Sequence, residues 1–130
     1  MALERIHPDG MAATNGFSAV VVATGTRMIF VSGQVPADGD GNVVGADLPA
    51  QLDQVYANIK KCLAAAGATL ADVTKTTTFV VDLQPEHRAI VGAARQRHMP
   101  DGLFPGSTLI GVTALARPEF LVEIEAVAVV

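Results

Sequence analysis

The chain has 130 residues, half of them hydrophobic and 17% charged, with a formal net charge of -4. That length suits a single domain spanning 1–130 with a core of its own, and the apolar share excludes intrinsic disorder. Nine Lys and Arg against thirteen Asp and Glu leave no basic stripe to neutralise a phosphate backbone, which speaks against nucleic acid as a partner.

The valine-rich segment Phe17 to Ala23 reads as a first strand. Gly25-Thr26 marks a turn, and Met28 to Ser32 reads as a second strand, so the pair suggests a hairpin. PADGDGNVVG, from Pro36 to Gly45, is loop chemistry,. A helix follows, with Asp47 as its cap, Pro49 in its first turn and Gly67 closing it in a left-handed conformation. Leu48, Leu52, Val55, Tyr56, Ile59, Leu63 and Ala66 form one apolar stripe at helical spacing. Val73 to Val81 is dense in β-branched residues and predicts a third strand. Asp82 to Met99 reads as a second, weaker helix. Ser107 to Leu115 and Leu121 to Val130 complete the chain as two further strands.

The order β-β-α-β-α-β-β points to an α+β domain: an open sheet with both helices on one face. The last strand is partly apolar on both faces, which suits a sheet covered by helices on one side and by another subunit on the other. An oligomer is expected. No apolar run approaches membrane-spanning length and the first residues hold no apolar signal core, so a cytoplasmic protein without membrane contact is expected. The single cysteine, Cys62, fits a reducing compartment and reads as a small buried hydrophobe beside the helical stripe.

Chemistry is sparse. Glu123 and Glu125 share a face of the last strand, about 7 Å apart. That is near the separation of paired carboxylates in inverting glycosidases, but without Trp there is no aromatic platform for a sugar, and acids solvated or paired at a subunit boundary are the favoured reading. His87 and His98 sit about 16 Å apart along a helix, too far to share an ion, and the three histidines read as surface residues. Asp38-Gly-Asp40-Gly-Asn42 resembles the start of a calcium loop, but Val43 and Pro49 stand where that loop needs glycine and glutamate, so it reads as a turn. Phosphate-binding glycine loops are absent from the sequence.

Three segments in order resemble the YjgF/RidA family of imine deaminases. Ile29-Phe-Val-Ser-Gly-Gln34 is similar to its hairpin strand and Val73 to Leu83 to its central strand. Phe104-Pro-Gly-Ser-Thr-Leu-Ile-Gly-Val-Thr-Ala-Leu115 with Leu121-Val-Glu-Ile-Glu-Ala-Val-Ala128 is similar to its carboxy-terminal signature. The resemblance implies a chorismate-mutase-like fold, a homotrimer with a central barrel, and clefts between subunits that take a small metabolite. In deaminating members a glutamate on the last strand positions the water that attacks an imine carbon, and no metal or cofactor takes part. An arginine near the start of the preceding strand holds the substrate carboxylate.

Carried onto this chain, the glutamate is Glu123. The arginine position holds Ser107, the aromatic phenol position holds Phe17, and the polar position on the second helix holds Ile90. Ser32 and Gly33, in the first of the three segments, fall at substrate-binding positions. A charge-assisted anchor contributes about 1.5–3 kcal/mol, so its loss points to a neutral or less acidic substrate. Arg27 and Arg117 are candidate replacements only if they reach a cleft from a neighbouring subunit, and surface placement is the safer reading for both. Three readings follow: a RidA-like hydrolase acting on a small imine, enamine or carbonyl compound; a trimer that binds or senses a ligand without chemistry; and, weakest given the acidic balance, an RNA-acting protein, since family members have been labelled ribonucleases or translation inhibitors.

Overall fold

The computed structural model describes residues 2–100 and 102–130. The elements are β1 (Ala2–Ile6), β2 (Val20–Thr24), β3 (Met28–Gln34), α1 (Leu48–Ala65), a short 3-10 turn at Leu70–Asp72, β4 (Val73–Val81), α2 (His87–His98), β5 (Gly106–Val112) and β6 (Val122–Val129). Four strands form the main sheet in the order β3-β6-β4-β5, and β1 and β2 form a separate two-stranded sheet. β6 runs antiparallel to both β3 and β4, whereas β4 and β5 are parallel with α2 in their crossover,. Among the described residues no helix is long and apolar enough to cross a membrane.

α1 forms where its local chemistry directs it. The Asp47 carboxylate accepts the Ala50 N–H at 3.0 Å,. Leu52, Val55, Tyr56, Ile59 and Leu63 are buried on one face,. At the other end Gly67 adopts φ +78°, while Ala68 N–H donates to Leu63 C=O and Gly67 N–H to Ala64 C=O. That pair of bonds closes the helix in the manner glycine favours. Gln51 is buried with α1's apolar stripe. It donates to the carbonyls of Gly45 and Glu119 and accepts the Leu121 N–H, clamping two loops to the helix,.

The core lies between the helices and one sheet face. Val122, Ile124, Ala126 and Ala128 of β6 are buried there with Val73, Thr76, Thr78 and Val80 of β4. Among the described residues no helix covers the opposite face of the sheet. Met28 is 64% exposed and Phe30 is 71% exposed, with Ile110 of β5 also exposed.

Three expectations change. Phe17 to Ala23 and Met28 to Ser32 do not pair as a hairpin: β2 ladders with β1, a strand the sequence reading did not include, and β3 ladders with β6. The turn between β2 and β3 explains why. Thr26 and Arg27 donate their N–H groups to the Val130 carbonyl, and a Cβ on Gly25 would meet Val129 Cγ1 at 2.7 Å. The turn is therefore seated on the end of β6, which takes over as β3's partner. The second helix begins at His87 rather than Asp82, because Asp82 is left-handed at φ +49° and Gln84 folds back onto its carbonyl and carboxylate,. β5 ends at Val112, three residues before the expected Leu115.

Candidate active site

Segment 15–18 is fixed against the start of β5. Ser18 N–H donates to Pro105 C=O, the Ser18 hydroxyl donates to Phe104 C=O at 2.6 Å, and Arg5 Nε donates to the same carbonyl. These bonds bring Phe17 beside Ser107. Together with one face of α2 they enclose a cleft of about 640 Å³, within the range of small-molecule sites. Arg88, Gly92, Arg95 and Gln96 of α2 line it at helical spacing, facing Ser107 and Leu109 of β5,.

Arg95 is 5% exposed. Its Nη2 donates to Ser107 Oγ at 2.9 Å and its Nη1 to the Gly16 carbonyl at 3.1 Å. Thr76 Oγ1, also buried, lies within hydrogen-bond distance of Ser107 Oγ at 3.3 Å. Arg95 Nε and the neighbouring Tyr56 hydroxyl are buried without hydrogen-bond partners. Burial pushes the Tyr56 phenol up from its ordinary pKa, and the Arg95 charge opposes that shift,. The expectation of an uncharged cleft at Ser107 is thus corrected: a guanidinium arrives from α2.

Glu123 lies elsewhere. Ser107 is in register with Thr76, and Thr76 with Ala126, so Ser107 shares the helix-covered face. Glu123 is in register with Phe79 on the opposite face,. Beside it β3 has a bulge: Val31 pairs with Ala126 and Gln34 with Ile124, leaving Ser32 and Gly33 opposite Glu125 alone,. Gly33 backs directly onto the Glu123 carboxylate, in space that a Cβ would fill. Two groups of residues result, Phe17 with Ser107 in the cleft and Ser32 and Gly33 with Glu123 on the open face. Within one chain the sheet separates them.

Ile90 packs against the core instead of lining the cleft. Arg27 and Arg117 are both exposed, the surface placement expected of them, and neither lines the cleft of its own chain. Arg27 donates to Ala66 C=O, and Arg117 donates to Gly41 C=O, faces Glu119 at 3.6 Å and stacks on Phe120. Arg95 escaped the sequence reading because it sits with Arg97 and His98 in the last turn of α2, where basic residues ordinarily meet solvent and the helix dipole. The available signal was the Arg88-Gly92-Arg95 spacing, a helix face interrupted by a residue without a side chain.

His98 departs from the surface expectation. It stacks on Tyr56 with ring centroids 4.9 Å apart, and Asp53 bridges it to Arg97. Arg97 and then His98 hold the Asp53 carboxyl below its ordinary pKa. Asp38 to Asn42 is the turn its composition suggests, with Asp38 Oδ1 accepting the N–H groups of Asp40 and Asn42,. Cys62 is partly buried and packs against the core.

A family model described as Endoribonuclease L-PSP matches residues 8–130. A RutC family protein of Haemophilus influenzae is 35% identical over 132 residues, covering 99% of this chain and 98% of its own. A 2-iminobutanoate/2-iminopropanoate deaminase of Salmonella typhimurium is 36% identical over 104 residues, 78% of this chain and 79% of its own. Among solved structures, the Rid-family protein of unknown function YyfB from Yersinia pestis superposes with a TM-score of 0.89 at 39% identity, over 100% of both chains.

Proposed function

This chain belongs to the YjgF/RidA family, and on that premise we propose that it is a cofactor-free hydrolase of small imines or enamines, with Glu123 positioning the attacking water. The observation that carries the reading is the fit between Glu123 and Gly33. A carboxylate on a strand face, lying against a bulge whose glycine leaves it room, is a proton acceptor placed on the face of the sheet that the helices leave uncovered. In the reaction, water loses a proton to the Glu123 carboxylate as its oxygen bonds to the imine carbon, and the C=N π electrons move to nitrogen. Nitrogen takes that proton back from Glu123 to give the neutral carbinolamine; the hydroxyl proton then passes through the same carboxylate to nitrogen as the C=O bond forms and the C–N bond breaks, and ammonia leaves.

Assembly belongs to the same proposal. Glu123 and Ser107 stand on opposite faces of one sheet, so a ligand touches both groups when neighbouring chains share a cleft. The uncovered apolar residues on the Glu123 face support a homotrimer closed through that face. The proposed setting is the cytoplasm, with a small metabolite as partner.

The reading is tested by generating a 2-imino acid in situ with an amino-acid oxidase and trapping what survives with semicarbazide. Wild type is expected to suppress trapping. Glu123→Gln, which keeps shape but not the proton acceptor, is expected to lower that rate by about a hundredfold or more. An active Glu123→Gln variant overturns the mechanism. A wild-type protein inert toward imines that still binds small carbonyl compounds favours the ligand-sensing alternative.

A further inference from the structure

A second cavity, of about 350 Å³, lies away from the cleft, between the last turns of α1, the 3-10 turn at Leu70–Asp72 and the end of α2. Apart from Lys60, Thr69 and His98 its lining is apolar, with Ala64, Leu70 and Pro100 among the walls, and no carboxylate lines it. Three contacts fix the His98 ring. Its Nε2 lies 2.7 Å from Asp53 Oδ1, its Nδ1 lies 3.2 Å from Lys60 Nζ, and its face stacks on the buried Tyr56 ring, 11° from parallel. A carboxylate only accepts and an ammonium only donates, so one tautomer satisfies both neighbours. Nε2 carries the hydrogen and donates to Asp53, and the bare Nδ1 accepts from Lys60.

Joining the two helices does not account for Lys60. Asp53, Tyr56 and Lys60 follow one another at helical spacing on one face of α1, and the Asp53–Arg97 bond with the Tyr56–His98 stack already ties that face to α2. Lys60 brings a cation to a neutral ring and, among the described residues, has no carboxylate partner. Lys61, next in sequence and exposed, does not line the cavity. An amine beside a base that a third group orients is the arrangement of an activated nucleophile, and here amine and base both face an apolar cavity within the size range of small-molecule sites,.

We propose that Lys60 is the nucleophile of a second site, which takes small aldehydes as a reversible imine, with His98 as its base and Asp53 orienting that base. An aldehyde fits this set: it is uncharged, its carbon is open to an amine, and its alkyl chain matches the walls at Ala64, Leu70 and Pro100. The Lys60 ammonium gives one proton to His98 Nδ1 and from there to solvent, the Asp53 carboxylate stabilising the imidazolium that forms. The amine lone pair then bonds to the aldehyde carbon and the C=O π electrons move to oxygen. A proton from nitrogen passes through Nδ1 to that oxygen, giving the neutral carbinolamine. The remaining N–H proton takes the same route to the hydroxyl, which leaves as water as the C=N bond forms. This site shares no residue with the cleft or with Glu123, so it goes beyond the proposed imine hydrolysis and does not rest on it.

The test is reductive trapping. The full chain is incubated with butanal and cyanoborohydride, which fixes each imine as a butylamine, and peptide mass spectrometry reads the rate at Lys60 against that at Lys61. Wild type is expected to react about tenfold or more faster at Lys60, a modest share of the gain a positioned general base provides. His98→Phe, which keeps an aromatic ring on Tyr56 and removes both nitrogens, should bring the ratio to about one. Ala64→Leu, at an exposed position, should narrow the cavity and lower the ratio with butanal several-fold while leaving the ratio with formaldehyde, which has no alkyl chain, unchanged. Equal rates in wild type, or a preference that survives His98→Phe, overturns the proposal. Should His98→Phe not fold, an Ala64→Leu variant whose butanal ratio matches wild type overturns it instead. Imine hydrolysis is read in the semicarbazide assay and not in these ratios, so failure of that reading and failure of this one fall on separate measurements.

Discussion

The hydrogen atom that serves Gly33 as a side chain decides where the Glu123 carboxylate can rest. Gly33 has no left-handed backbone requirement, since its φ is not among the positive ones, so alanine fits its conformation. What alanine does not fit is the space, which Glu123 Oε2 already occupies. Because the obstructing atom is the end of a flexible side chain, Gly33→Ala should fold with near wild-type thermal stability while pushing the carboxylate aside. A displacement of about 1 Å at a reacting group can cost about a hundredfold in rate. The expected outcome is lost imine turnover with an unchanged melting curve. Full activity in Gly33→Ala would show that the carboxylate's position is not what matters. Ser107 and Arg95 make the complementary point: a neutral residue at one position hides a charge supplied to it from another element.

α2 is a helix with two tasks, and its composition reflects both. Val91 and Ala94 are buried and Ile90 packs against the core, while Arg88, Gly92, Arg95 and Gln96 turn to the cleft. A glycine inside a helix costs about 0.5–1 kcal/mol relative to alanine. The methyl group of Gly92→Ala would meet no atom within 4 Å, so this substitution should stabilise the protein by roughly that amount in thermal or urea unfolding. A destabilised Gly92→Ala would mean that the glycine serves packing and not cleft volume. α1 has the single task of covering the sheet, which is why its cap, stripe and glycine stop all agree with one another.

For the molecule as a whole, the uncovered face of the main sheet is the feature to explain. Phe30 at 71% exposure and Met28 at 64% sit on β3, a strand at the edge of that sheet. Large apolar side chains left open on an edge strand invite association unless a partner covers them. If a homotrimer closes over this face, wild type should sediment as a trimer and Phe30→Glu as a monomer. A trimer that tolerates Phe30→Glu places the interface elsewhere. On the proposal that Glu123 of one chain and Ser107 of its neighbour share a cleft, turnover of the 2-imino acid should fall together with assembly.

Local chemistry sufficed for much of this molecule. Asp47, the apolar stripe and Gly67 mark both ends and the buried face of α1, and the β-branched run from Val73 to Val81 is β4 to the residue. Those signals lie within one element and answer to period, cap and rotamer alone. Strand pairing does not. β3 chose β6 over β2 because the turn after Gly25 is hydrogen-bonded to Val130, more than a hundred residues away in sequence, and no local propensity encodes that contact. The candidate site divides in the same way. The place of Glu123 on one face of β6 is legible from its strand segment and its proposed role from the family resemblance alone, whereas the cation at Ser107 comes from a helix twelve residues earlier. A side chain's burial and partners belong to the packed assembly of elements, and so the charge of the cleft was settled by tertiary contacts.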